Sequence, residues 1–122
     1  MDTLELLLKA NPQNLPEKQI KLKRLSKECG GDVIFTIRAL TYNKVVEIKT
    51  AHAGGDMEVH ILLAGVTSPD MKSEELKKKF NAVTPAEMVK AMLLPGEIED
   101  ISREIEKLSG YRVTTVEEVK KK

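Results

Sequence analysis

The run from Leu93 to Tyr111 reads as one helix with both ends written into it. Pro95 stands where the first helical turn has no amide to lose, so its fixed φ favours the helix. Gly110 stands where a left-handed residue closes the helix, with Tyr111 next as a hydrophobic contact beyond the cap. Between them Ile98, Ile101, Ile105 and Leu108 recur at spacings of three, four and three, which makes one apolar stripe. The other face carries Glu99 with Arg103 at i,i+4 and Glu104 with Lys107 at i,i+3, pairs that suit a solvated surface. Something must cover so aliphatic a stripe. One reading is burial within the monomer against Met88, Val89 and Met92, with Pro95 at the corner of a helical hairpin. The other is a partner-binding face made of Met88, Met92, Leu94, Ile98, Ile101, Ile105, Leu108 and Tyr111.

Composition narrows what the rest can be. The chain has 122 residues, enough for one domain with a modest core. Only 3% of residues are aromatic, so the core is aliphatic and stacking platforms for bases or sugars have no support. The net charge of +1 steers the chain neither to nucleic acid nor to an anionic membrane. The single cysteine, Cys29, excludes an internal disulfide and every zinc site built on two thiolates, and fits a reducing compartment. No apolar run is long enough to span a bilayer, and the start of the chain lacks a signal-peptide pattern. The expectation is a soluble cytoplasmic domain.

Along the chain, Asp2-Thr3-Leu4-Glu5 is a capping box for a short helix with Leu4, Leu7 and Leu8 on one face. A turn-rich connector follows from Asn11 to Pro16. Two alternating stretches, residues 19–23 and 33–39, flank Gly30-Gly31-Asp32, the chemistry of a hairpin turn. Two strands alone are marginal, so the hairpin must lean on helices. Thr41, Asp56, Ser73 and Thr84 are N-cap residues for the next helices, with Gly54-Gly55, Gly65 and Asn81 as stops and residues 67–70 as a loop. Thr84-Pro85-Ala86-Glu87 is the strongest capping signal, opening a helix with Met88, Val89, Met92 and Leu93 on one face. The predicted fold is α+β and helix-dominant: an N-terminal β-hairpin, with room for a third short strand, then an array of four to five short helices. One domain covers residues 1–111, and residues 112–122 form a flexible charged tail.

The candidate chemistry is sparse. His52 and His60 are eight apart across a Gly-Gly break and do not make an i,i+4 metal pair. Cys29 has no recognisable base motif beside it. The glycines form neither G-x-G-x-x-G nor G-x-x-x-x-G-K-S/T, so nucleotide binding is not indicated. Lys18, Lys21, Lys23, Arg24 and Lys27 form the one patch of single sign, with Lys21 and Lys23 on one predicted strand face. It reads as a solvated face that discourages edge pairing, or as a nucleic-acid contact without interleaved aromatics. Met57, Met71, Met88 and Met92 serve either as core filling or as an adaptable binding surface. No enzyme, cofactor or metal is expected. The residues by themselves indicate a small helical interaction domain.

One resemblance runs through most of the chain. Asn11-Pro12 with Leu15-Pro16, Ile20 to Ser26, and Phe35 to Tyr42 carry its first half. Gly65-Val66 with Pro69-Asp70, Phe80 with Val83-Thr84-Pro85, Leu93 to Ile98 and Leu108 to Tyr111 carry its second. In this order and spacing the chain resembles the XkdN-type phage tail assembly chaperones. The resemblance implies a protein of phage or prophage that transiently binds the tape measure protein during tail morphogenesis and does not stay in the virion. It implies as partners the tape measure protein, tail-tube subunits and a frameshifted longer form of the chain, in the bacterial host cytoplasm, with neither nucleic acid nor membrane. The run Val119-Lys120-Lys121-Lys122 suits an A-rich slippery message, or is simply a solubilising tail. Two other classes stand beside this one: a helical protein-interaction or regulatory module of another kind, and a nucleic-acid accessory protein using the basic strand.

Overall fold

The computed structural model describes residues 1–120. Two strands, β1 (Glu17–Lys21) and β2 (Ile34–Arg38), pair antiparallel in the register Glu17↔Arg38 to Lys21↔Ile34. The expected hairpin pairing is present, but its connection is not a tight turn. A helix, α2 (Lys23–Cys29), lies between the strands. The alternation stops at Leu22, and from there Leu22 and Ser26 follow helical spacing and are both buried. Lys23 consequently lies on α2 and not on a strand face with Lys21. Gly30, at φ 76°, terminates α2 with its N–H on Ser26 O. Ser26 Oγ then accepts from Val33 N at 2.8 Å and delivers the chain into β2.

The third strand, β3 (Val66–Ser68), pairs antiparallel with β2, with an irregularity at Thr36/Ile37, so the sheet order is β1-β2-β3. It occupies part of the segment that turn chemistry assigns to a loop. Thr67 and Ser68 suit either state, and β2 is the neighbour that decides.

Six further helices complete the described residues: α1 (Thr3–Leu7), α3 (Tyr42–Ala51), α4 (Met57–Gly65), α5 (Glu74–Lys79), α6 (Pro85–Met92) and α7 (Pro95–Leu108). Five of them follow β2, as the sequence indicates. Most of their starts are capped by the expected residues. Asp2 Oδ1 accepts from Glu5 N at 2.9 Å, Thr41 Oγ1 from Lys44 N at 3.2 Å, Ser73 Oγ from Leu76 N at 3.3 Å, and Thr84 Oγ1 from Glu87 N at 3.1 Å. Asp56 is the exception. It enters α4 at φ 59° without capping it, and its carboxylate turns to Lys90 Nζ at 2.5 Å. The far end of α7 is a Schellman closure: Gly110, at φ 98°, donates to Lys107 O, and Tyr111 N donates to Glu106 O.

The core lies between the sheet and α4, α6 and α7. Phe35 and Ile37 enter it from β2, Val59 and Leu62 from α4, Met88 and Val89 from α6, and Ile98, Ile101 and Ile105 from α7. The stripe on α7 is therefore buried in the monomer, but its principal cover is α4, with α6 a lesser contact. Gly65 explains the choice. A Cβ there would lie 2.6 Å from Ile105 Cδ1 and 2.7 Å from Ile105 Cγ2, so only glycine lets α4 and α7 approach this closely. Gly65 does end α4, yet its packing role is the stronger constraint.

Candidate interaction surface

The eight residues of the sequence-predicted binding face divide by position. Met88, Ile98, Ile101 and Ile105 are buried in the core, and Met92 and Leu108 pack partly against it. Only Leu94 and Tyr111 are exposed, at 51% and 40%. They stand at opposite ends of α7, which at 1.5 Å per residue separates them by roughly 20–25 Å. They do not form one patch. Lys49 Nζ lies 5.5 Å from the centroid of the Tyr111 ring, which occupies one side of that aromatic with a cation.

Among the described residues the largest exposed apolar group is elsewhere. Met1, Leu4, Leu6, Leu7 and Leu8 are all more than half exposed, and no residue of α1 is buried. Helical spacing gathers Leu4, Leu7 and Leu8 on one side, flanked by Glu5, and Met1 precedes the helix. A helix of five residues is far below the length that is stable alone in water. Its cap on Asp2 helps, but burying its leucines would contribute far more. Leu4, Leu7 and Leu8 form the face expected from their spacing, which by itself points to no role. The available signal was density: five large apolar residues among the first eight, followed at once by the connector to Pro16.

Charges near the body of the fold are mostly committed. Arg24 grips both Glu97 oxygens, through Nε at 3.1 Å and Nη2 at 2.9 Å, and also donates to Met92 O. Glu97 in turn accepts from Leu94 N at 2.7 Å, so one carboxylate caps α7 and ties it to α2. The Arg24 hydrogen bonds hold the Glu97 carboxyl below its ordinary range. Lys18 does the same for Glu104 across the groove between β1 and α7, and Lys90 does it for Asp56. That groove, about 540 Å³, is floored by Ile20, Leu22 and Ile101. The basic run is thus dispersed: Lys18 pairs with Glu104, Lys21 with Asp32, and Arg24 with Glu97 and Glu28.

Folding brings together one pair that spacing kept apart. The His52 and His60 rings stack with centroids 3.4 Å apart and planes 6° from parallel. Burial, and then the neighbouring His52, push the His60 imidazole below its ordinary pKa, against the pull of Asp56. Among the described residues no group of three or more His, Cys, Asp or Glu gathers as a metal site. No described helix is long and apolar enough to cross a membrane. Cys29 is exposed on α2.

Comparison with known proteins gives the context for this surface. No curated protein matches the chain. The crystal structure of the protein YqbN is similar, with a TM-score of 0.63 at 20% identity over 84% of this chain and 92% of that one. At that identity the likeness speaks for the fold alone. The family model for the phage XkdN-like tail assembly chaperone protein matches residues 4–121. With a match over nearly its whole length, the chain belongs to the family of XkdN-like phage tail assembly chaperones.

Proposed function

We propose that this chaperone transiently holds the tape measure protein of its phage or prophage, in the bacterial host cytoplasm, until tail-tube subunits assemble around it. The observation that carries the reading is α1, a leucine-lined helix with no buried residue and, among the described residues, no part in the hydrophobic core. A long helical protein with exposed apolar stripes aggregates unless the stripes are covered. A short apolar helix on a turn-rich connector covers such a stripe by helix-on-helix packing and releases it readily. Leu94 beside half-buried Met92, and Tyr111 beside half-buried Leu108, are two further and separate contact points in this proposal. Met88, Ile98, Ile101 and Ile105 act through the core behind them. Tail-tube subunits and a frameshifted longer form of the chain are the further proposed partners. Lys121 and Lys122, on which the frameshift idea partly rests, lie outside the described residues. The proposed role needs no enzymatic activity, cofactor or metal, and no nucleic acid or membrane.

Co-expression with a fragment of the neighbouring tape measure protein tests this. The wild-type chain should raise the fragment's soluble yield and co-purify with it at low salt. The triple substitution Leu4→Ser, Leu7→Ser, Leu8→Ser should abolish both while leaving the thermal melt unchanged, because α1 contributes nothing to the core. No solubility gain together with no co-purification by the wild type would overturn the tape measure reading. Full retention by the triple variant would remove α1 as the contact.

A further inference from the structure

β1 is an edge strand, exposed throughout except at half-buried Ile20. The parity of its ladder follows from the bonds that flank it. Leu22 N donates to Val33 O at 3.0 Å at one end, and Ala39 N donates to Pro16 O at 2.9 Å at the other. Between them the register sets Lys18 opposite Ile37 and Ile20 opposite Phe35. Alternate residues of an antiparallel strand bond to the same neighbour. Lys18 and Ile20 therefore bond to β2, and Glu17, Gln19 and Lys21 turn their N–H and C=O groups to the open edge. Among the described residues, none of the backbone hydrogen bonds outside the ladder uses these three.

An open edge accepts a strand, and charged residues on it repel most candidates. Here the charges admit one strand in particular, which is the same strand reversed. We propose that β1 pairs antiparallel with β1 of a second copy about a two-fold axis through Gln19, joining two three-stranded sheets into one. In that register Glu17 of each copy lies opposite Lys21 of the other, Gln19 faces Gln19, and Lys18 lies opposite Ile20. The outward-facing residues meet one another, so their free amides and carbonyls all fall in hydrogen-bonded sites of the new ladder. A two-fold interface requires this kind of self-complementarity. Sliding one strand by two residues keeps the hydrogen-bond parity but loses both Glu–Lys pairs, so charge selects the register.

Among the described residues neither Glu17 nor Lys21 is held firmly elsewhere. The Lys21–Asp32 pair is exposed on both sides, at 53% and 69%, so Lys21 is free to turn to Glu17 of the second copy. Lys18, on the inner face, is already neutralised by Glu104 and presents no like-charge clash. With five residues per strand the interface is small, of the weak class below about 1,200 Å². The association is therefore reversible and depends on concentration.

Sedimentation equilibrium up to sub-millimolar concentration tests the proposal on the full chain. The wild type should pass from monomer to dimer. Glu17→Lys or Lys21→Glu alone sets like charges across both ends and should weaken dimerisation by at least about tenfold. The double swap Glu17→Lys with Lys21→Glu restores both pairs and should restore the dimer. Gln19→Pro removes an amide that β2 does not use, so it should abolish the dimer with the circular-dichroism melt preserved. A wild type that stays monomeric overturns the proposal, as do single swaps that dimerise like wild type. Loss of association on deleting residues 1–8, with the single swaps having no effect, also overturns it, since the contact is then α1.

Discussion

At the scale of single residues, the informative positions are those where an atom has no room or no partner. Gly65 has no room: its missing Cβ is the space that Ile105 fills. Gly65→Ala should destabilise the fold by about 1–3 kcal/mol, despite alanine's better helix propensity. Removing Cδ1 with Ile105→Val should recover part of that loss, which denaturant titration of the double-mutant cycle would show as non-additivity. Ser102 has no partner: its Oγ is buried on α7 with no hydrogen bond among the described residues. Ser102→Ala should therefore raise the melting temperature, by a stabilisation of about 1 kcal/mol. A clear loss of stability instead would mean that the hydroxyl has a partner.

At the scale of elements, α7 and α1 are opposite cases of the same chemistry. Both carry an aliphatic face and a capped start, yet α7, with 14 residues, has its stripe covered by α4, and α1, with five, lies outside. Ile101→Asp should accordingly abolish cooperative unfolding, since it places an unpaired charge at a position only 2% exposed. Circular-dichroism melting of this variant beside the α1 serine variant separates the two roles. The first should fail to fold and the second should melt like wild type. The N-cap of α6 lies between these extremes. Thr84→Ala should cost about 0.5–2 kcal/mol by equilibrium denaturation, because Thr84 Oγ1 satisfies the otherwise free Glu87 amide.

At the scale of the whole molecule, the pKa shifts of the histidine and the three carboxylates act with one sign. His60 titrates below its ordinary 6.5 because the fold buries it beside His52, and Asp56, Glu97 and Glu104 titrate below theirs because Lys90, Arg24 and Lys18 bond to the carboxylates. All four groups bind fewer protons folded than unfolded, so stability is highest above their unfolded pKa values and falls with acid. Melting temperatures should be level near pH 7–8, decline first as the pH drops below about 6.5, and decline again below about 4.5. His60→Gln should remove the first decline and leave the second. A melt that strengthened towards acid would contradict the assignment of these pairs.

What could be read from the sequence alone was what local chemistry decides. Thr41, Ser73, Thr84 and Gly110 mark helix ends through bonds to residues three positions away, and Pro95 marks one through its fixed φ; the structure has helix ends at each. The stripe Ile98, Ile101, Ile105 and Leu108 announced that α7 must be covered, because periodicity is a property of one helix. Its cover was not legible, since α4 is hydrophobic nearly all round and only the fit of Ile105 over Gly65 selects it. The same limit hid α2 inside the expected hairpin, where Gly30 serves equally as a turn residue or as a helix stop until Leu22 and Ser26 find the core. It separated His52 from His60, which meet only because α3 and α4 fold back on each other. It also left the leucines of α1 without a role, because their exposure depends on every other element having its core filled without them. Caps and stripes are short-range and written in order along the chain. Burial and partnership depend on which distant surfaces fit together, so only the tertiary structure decides them.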